Sequence, residues 1–236
     1  MDQVQILIFD ADDTLWKNNL YYETARSEFI DLCKTHSRDK NSFDQIFDEI
    51  EWKVVQERGY GSKNFVYILD VLYHRFSFLA DSPVAEAAYR TILDQFIQVT
   101  SRPPELFDGV RETIERLAAR YTLAVLTKGD PGEQNRKLKD SGIGRIFKKT
   151  FVVPEKNLDV YHQILQEQQW DPDHVCMIGN SPKSDINPAL QAGLWAVYIP
   201  YPYTWKLDDE PVMHPHPRLK EIPSLTELSR YFNTSG

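Results

Sequence analysis

Residues 4–16 read VQILIFDADDTLW, an apolar run that ends in Asp10, Asp12 and Asp13, followed by Thr14. The apolar half has the composition of a strand buried on both faces of a parallel sheet. Carboxylates crowded at the end of such a strand repel one another unless something neutralises them. The stretch therefore raises two questions: what sheet the strand belongs to, and what positive charge its end receives.

Similar apolar runs recur downstream, TLAVLT at 122–127, TFVVP at 150–154, HVCMIG at 174–179 and WAVYIP at 195–200. Helix-like segments lie between or before them, at 109–120, 131–141, 158–169 and 182–192. Gly142 and Gly193 follow two of these, where helix stop signals belong. This strand–helix alternation predicts an α/β fold with a Rossmann-like, doubly wound parallel sheet. The first strand is the exception. After it the chain reads as four helices, roughly 20–35, 42–58, 63–79 and 83–99, far more than the ~2–6 residues of an ordinary βα connection. An inserted helical domain over 16–102 explains this, with the core formed by 1–15 and 103–236. The return is punctuated by the prolines and glycine of SRPPELFDG. Near the C-terminus, RLKEI reads as an edge strand and 224–232 as a closing helix.

With 236 residues the chain can hold a large core and a companion domain. Its net charge of -8 and lack of a sustained Lys/Arg block argue against a nucleic-acid or anionic-membrane surface. Cys33 and Cys176 are the two cysteines, without a C-x-x-C pattern, so neither a disulfide framework nor a zinc site is expected. No signal-like or membrane-spanning stretch is seen, and a cytoplasmic protein is expected. His214 and His216 in HPHP read as an exposed loop, and YPYTW at 201–205 as a packed loop near the last strand.

In open parallel sheets, ligands bind outside the carboxyl ends of the strands. Asp10, Asp12, Thr127 and Asp185 all fall at or after such ends. Magnesium takes oxygen ligands, usually one or two carboxylates, waters and a substrate phosphate. Asp10 and Asp185 would supply side-chain oxygens to Mg2+, and the loop near Asp12 a backbone carbonyl. A carboxylate such as Asp10, taken as ionised without help near neutrality, can attack phosphorus and form an aspartyl-phosphate. Asp12, two residues on, is placed to protonate the leaving alkoxide and then to activate water, provided neighbouring charge raises its pKa. Thr127 and Lys156 would stabilise the phosphoryl oxygens.

Taken singly these residues have plainer readings. The aspartates could form an Asx-turn, Thr127 could be a simple strand residue, and Lys156 could be solvated, with Lys148 and Lys149 as competitors ahead of the strand. As an ordered set they resemble the haloacid dehalogenase-like hydrolases, most of which are magnesium-dependent phosphatases. DADDT at 10–14 matches the D-x-D-x-T signature, LTKG at 126–129 the second motif through Thr127, Lys156 the third, and GNSPKSD at 179–185 the fourth through Asp185. The resemblance implies a type-one helical cap that excludes water and selects the leaving group. Trp16, Asn18 and Tyr21, where the insertion begins, are candidate substrate contacts. So is Lys128, which stands where Asn is frequent. Asp12, where dehalogenases carry an aromatic residue and phosphonate-cleaving members a small one, favours phosphate esters. Asn180 stands where a further Asp is often found and is expected to act through water.

The expected activity is thus hydrolysis of a small phosphorylated metabolite by a monomer or homodimer. A non-catalytic phospho-ligand or protein-binding module, and a phosphotransferase or mutase using the same intermediate, are the alternatives.

Overall fold

The computed structural model describes residue 1 and residues 3–37, 42–208 and 210–232. Residues 233–236 of the expected core therefore lie outside the described residues. Among the described residues six strands form one sheet: β1 (Ile6–Phe9), β2 (Thr122–Lys128), β3 (Lys149–Val153), β4 (Val175–Gly179), β5 (Trp195–Tyr198) and β6 (Leu219–Glu221). Their order is β3-β2-β1-β4-β5-β6, and every pair is parallel. The order reverses at β1, which is where such sheets bind ligands.

Alternation along β1 explains why both faces are covered. Leu7 and Phe9 point to a cluster with Leu123, Val125, Cys176 and Ile178, completed by Val110, Ile114 and Leu117 of one helix. Ile8 points the other way, to Ala124, Leu126 and Met177, with Tyr161, Ile164 and Leu165 of another. Each such large side chain contributes ~1.5–3 kcal/mol on full burial, so a one-residue slip of β1 would be strongly disfavoured.

The chain divides into two compact units, Met1–Asn19 with Pro104–Gly236, and Leu20–Pro103. The first division falls after Asn19 rather than after residue 15. The cause is local: Trp16 is buried in the core cluster and pairs antiparallel with Leu106. Around that bridge the Phe107 N–H donates to Leu15 O (3.1 Å) and the Lys17 N–H to Glu105 O (3.0 Å).

The second unit consists of helices α1 (Asn19–His36), α2 (Phe43–Arg58), α3 (Ser62–Arg75), α4 (Ser77–Ala80) and α5 (Pro83–Ser101), the first of which starts within the other unit. The single helix expected over 63–79 is broken at Phe76, whose backbone leaves the helical region. This unit has its own core, in which Phe65 packs against Tyr22, Phe47 and Phe96.

In the core unit, α6 (Val110–Ala118), α7 (Pro131–Asp140), α8 (Leu158–Gln168) and α9 (Asn187–Gln191) flank the sheet. Two expected helices differ. Residues 182–192 split into a widened turn over Pro182–Ile186 and the short α9. Pro188 has no N–H to give to Ser184 O, and that carbonyl accepts instead from the Tyr161 hydroxyl at 3.1 Å. The closing helix is a tight three-residue-per-turn segment, Leu225–Arg230, whose buried Leu225 and Leu228 match that period.

Candidate active site

Four strand ends bring the site together. Asp10 directly follows β1, and its N–H donates to Ile178 O at 2.9 Å. Thr127 is buried near the end of β2. Lys156 lies just past β3 and is 4% exposed, which removes the reading as a solvated lysine. Its ammonium donates to Oδ1 of Asp10 and, at 2.7 Å, to Oδ1 of Asp185. Asp185, 0% exposed in the widened turn after β4, accepts from the Ser181 N–H through Oδ2 at 3.0 Å. Gly179 makes room for it, because a Cβ there would stand 2.3 Å from Asp185 Oδ2.

Asp10 needs more help than its sequence context suggests. Burial pushes its carboxyl up to about 7 against the pull of Lys156, so the expectation that it ionises unaided is corrected. Burial would also lower Lys156, yet Asp10 and Asp185 outweigh it and hold the ammonium charged. Oδ2 of Asp10 is buried and has no hydrogen-bond partner among the described residues. An orphaned carboxylate oxygen beside a second buried carboxylate is the donor set a hard divalent ion prefers. The aspartates 10, 12, 13 and 185 also outnumber the buried ammoniums of Lys137 and Lys156. Among the described residues no three His, Cys, Asp or Glu side chains form a ready cage. Magnesium does not need one, since water and phosphate complete its shell.

Asp12 departs from expectation. Its Oδ1 accepts from Trp16 Nε1 at 2.6 Å and its Oδ2 from Gln134 Nε2 at 2.8 Å. The Lys137 ammonium reaches both oxygens at 3.0 Å. Burial alone would raise this carboxyl, but Lys137 and the other donors outweigh it and hold Asp12 below the ordinary carboxylate value. The expected upward shift is therefore wrong: the upward push comes from burial, and a cation from α7 with the neighbouring donors overrides it. The Asp12 side chain is engaged by these donors, which leaves the backbone as its route to a metal.

Trp16 is corrected too. It is 1% exposed and packs in the core cluster, so it holds Asp12 and does not face a ligand. Asn18 accepts from Lys137 through Oδ1 at 2.8 Å, and Tyr21 lies in α1. Lys128 is not an isolated cation: Asp208 takes its ammonium at 2.6 and 2.7 Å, and Ser184 Oγ lies at 3.2 Å. Asn180 accepts from the Thr14 hydroxyl at 3.1 Å, tying the first motif to the fourth. Asp13 shapes the turn. It has a φ of 67° and accepts the N–H groups of Asn18 and Asn19 at 2.9 and 3.0 Å. In the 201–205 loop Tyr201 packs edge-on to Phe107, while Tyr203 is exposed.

Lys137, Gln134 and Asp208 are given no site role by the sequence, which reads Gln134 and the KLKDSGI stretch only as the helix after the second motif. For the first two a signal existed, because Gln134 and Lys137 are three apart on one face of α7. Asp208 carries no periodic signal, since it lies in an irregular segment.

Residues 4–193 match the haloacid dehalogenase-like hydrolase family. The chain belongs to that family. Glyceraldehyde 3-phosphate phosphatase of Pyrococcus furiosus is 26% identical over all of this chain and 97% of its own length. The HAD-hydrolase YfnB of Bacillus subtilis is 26% identical over 82% of this chain and 83% of its own. Among solved structures, a haloacid dehalogenase-like hydrolase from Xanthomonas campestris superimposes with a TM-score of 0.77 at 29% identity, covering 97% of this chain and 94% of that one. The magnesium-bound structure of YfnB superimposes at 0.61 and 24%, covering 98% and 99%, a likeness of fold. The parallel sheet with flanking helices is thus the haloacid dehalogenase-like fold. No helix among the described residues is long and apolar enough to cross a membrane.

Proposed function

We propose that this hydrolase removes phosphate from a small phosphate monoester, with magnesium as cofactor and an aspartyl-phosphate on Asp10 as intermediate. The observation that carries the reading is the buried Oδ2 of Asp10 at the end of the central strand, unpartnered among the described residues, while Oδ1 is fixed by Lys156. Asp10 and Asp185, with the carbonyl of residue 12, would hold the ion, which supplies charge neutralisation between carboxylates and phosphate. One Asp10 carboxylate oxygen attacks phosphorus, the bond from phosphorus to the ester oxygen breaks, and that oxygen takes a proton from solvent and leaves as the alcohol. The Thr127 hydroxyl and the Lys156 ammonium stabilise the charge on the transferring phosphoryl group. Water then attacks the same phosphorus, the bond to Asp10 breaks, and Asp12 takes the water's proton.

The charge pattern also favours a neutral leaving group. Lys128, Lys137 and Lys156 are each engaged by a carboxylate, so a second anionic group on the substrate must compete with Asp208, Asp12, or Asp10 and Asp185. Two relatives, from Pyrococcus furiosus and Pyrococcus abyssi, are named glyceraldehyde 3-phosphate phosphatases. A triose aldehyde is a leaving group of this neutral kind.

Purified protein with magnesium is expected to release phosphate from glyceraldehyde 3-phosphate faster than from phosphoglycolate. Release stops with chelator and in Asp10→Asn. Equal release by Asp10→Asn and wild type would remove Asp10 as nucleophile.

A further inference from the structure

We infer that Lys137 is a positioning residue for the hydrolytic half of the reaction, holding the Asp12 carboxylate where it meets the water that cleaves the phosphoenzyme. The inference rests on the phosphatase reading above and adds to it a residue outside the four motifs.

Three observations lead to Lys137. First, the Asp12 carboxylate accepts from Trp16 at Oδ1, from Gln134 at Oδ2 and from Lys137 at both oxygens. Of these donors only Lys137 reaches both oxygens, so it fixes the plane of the group as well as its place. Second, the same ammonium bonds Asn18 Oδ1 at 2.8 Å, so it ties together both ends of the turn that carries Asp12 and Asp13. Third, Lys137 is 5% exposed in a helix whose other lysine, Lys139, is exposed. A long cationic side chain is ordered away from water only at a cost in desolvation and rotamer freedom, and here its contacts are all made at the candidate site or with Glu133 one turn earlier at 3.5 Å.

The step it serves is balanced without another reactant. Water forms a bond to phosphorus, the bond from phosphorus to the Asp10 oxygen breaks, and Asp10 recovers its carboxylate. Asp12 takes the proton and returns it to solvent. The Gln134 amide can accommodate that proton, because its Oε1 is buried and unpartnered among the described residues. A half-turn of the amide presents this acceptor to Asp12 in place of Nε2.

Lys137→Met tests the role in the full-length protein with magnesium, using steady-state kinetics and acid-quenched phosphoenzyme. We expect kcat to fall at least about tenfold with KM within about threefold, and the phosphoenzyme fraction at steady state to rise. A merely structural role would not raise that fraction. Lys137→Gln, which keeps a donor but no charge, is the second variant should the first fail to fold, with the same rise expected. Either folded variant with wild-type kcat, or with kcat and phosphoenzyme falling together, overturns the inference. Wild type that forms no phosphoenzyme, together with an active Asp10→Asn, overturns the Asp10 phosphoenzyme reading itself and this role with it.

Discussion

Trp16 illustrates how a residue can sit next to a motif and serve it from behind. Its indole N–H ends on Asp12 while its ring fills the core beside Leu15 and Leu106. Trp16→Phe keeps most of the packing and loses a hydrogen bond to a charged group, which is expected to lower stability by roughly 1.5–3 kcal/mol in urea unfolding. Because the ring does not face a ligand, KM should stay within about threefold. A large rise in KM without loss of stability would return Trp16 to the substrate. The placement of Asp10, Asp12, Lys156 and Asp185 past strand ends, and of Thr127 near one, was legible because the apolar runs that mark the strands can be read directly. Lys137 was not, because α7 is polar on most of its surface and its ion pair with Asp12 spans 125 positions. No local pattern announces such a pairing, and the same holds for Lys128 with Asp208 across 80.

Among the elements, the passage from β4 into the widened turn is the most constrained. Gly179 ends the strand with no side chain because Asp185 folds back against it; the Ser181 N–H donates to that carboxylate, and the Ser181 hydroxyl accepts from the Ser184 N–H. Gly179→Ala would place a methyl group 2.5 Å from Asp185 Cγ. The expected outcome is a loss of ~1–3 kcal/mol from overpacking and a higher magnesium concentration for half-maximal activity; unchanged magnesium dependence would show that Asp185 tolerates displacement. At α8 the Asn157 side chain caps the helix by accepting from the Val160 N–H at 3.1 Å. Asn157→Ala should cost about 1 kcal/mol in thermal or urea unfolding with little effect on kcat. The strands were readable from their apolar runs. The turn at 182–186 was not, because Pro188 and the Tyr161 hydroxyl, which together reroute its carbonyls, lie outside the segment they change.

At the scale of the whole molecule, the sheet-bearing unit and the inserted helices each line interiors of their own. The sheet is covered by its own helices, and the inserted helices enclose their own aromatic core. The insertion was visible as a long helical interval between two parts of one sheet. Its first limit was displaced because residues 16–19 carry core contacts that hydrophobic pattern alone does not assign. The pairing of Leu15 and Lys17 with Phe107 and Glu105 brings the outgoing and returning chain side by side within the sheet-bearing unit. Replacing residues 20–103 by a short Gly/Ser link is therefore expected to leave a protein that melts cooperatively, by circular dichroism, with mixed α/β character; a non-cooperative melt would show that the sheet unit requires the helices. That paired exit and return makes the insertion a cassette. Helical modules of different sequence could be exchanged between residues 19 and 104 while the sheet, and the aspartates at the end of β1, stay as they are.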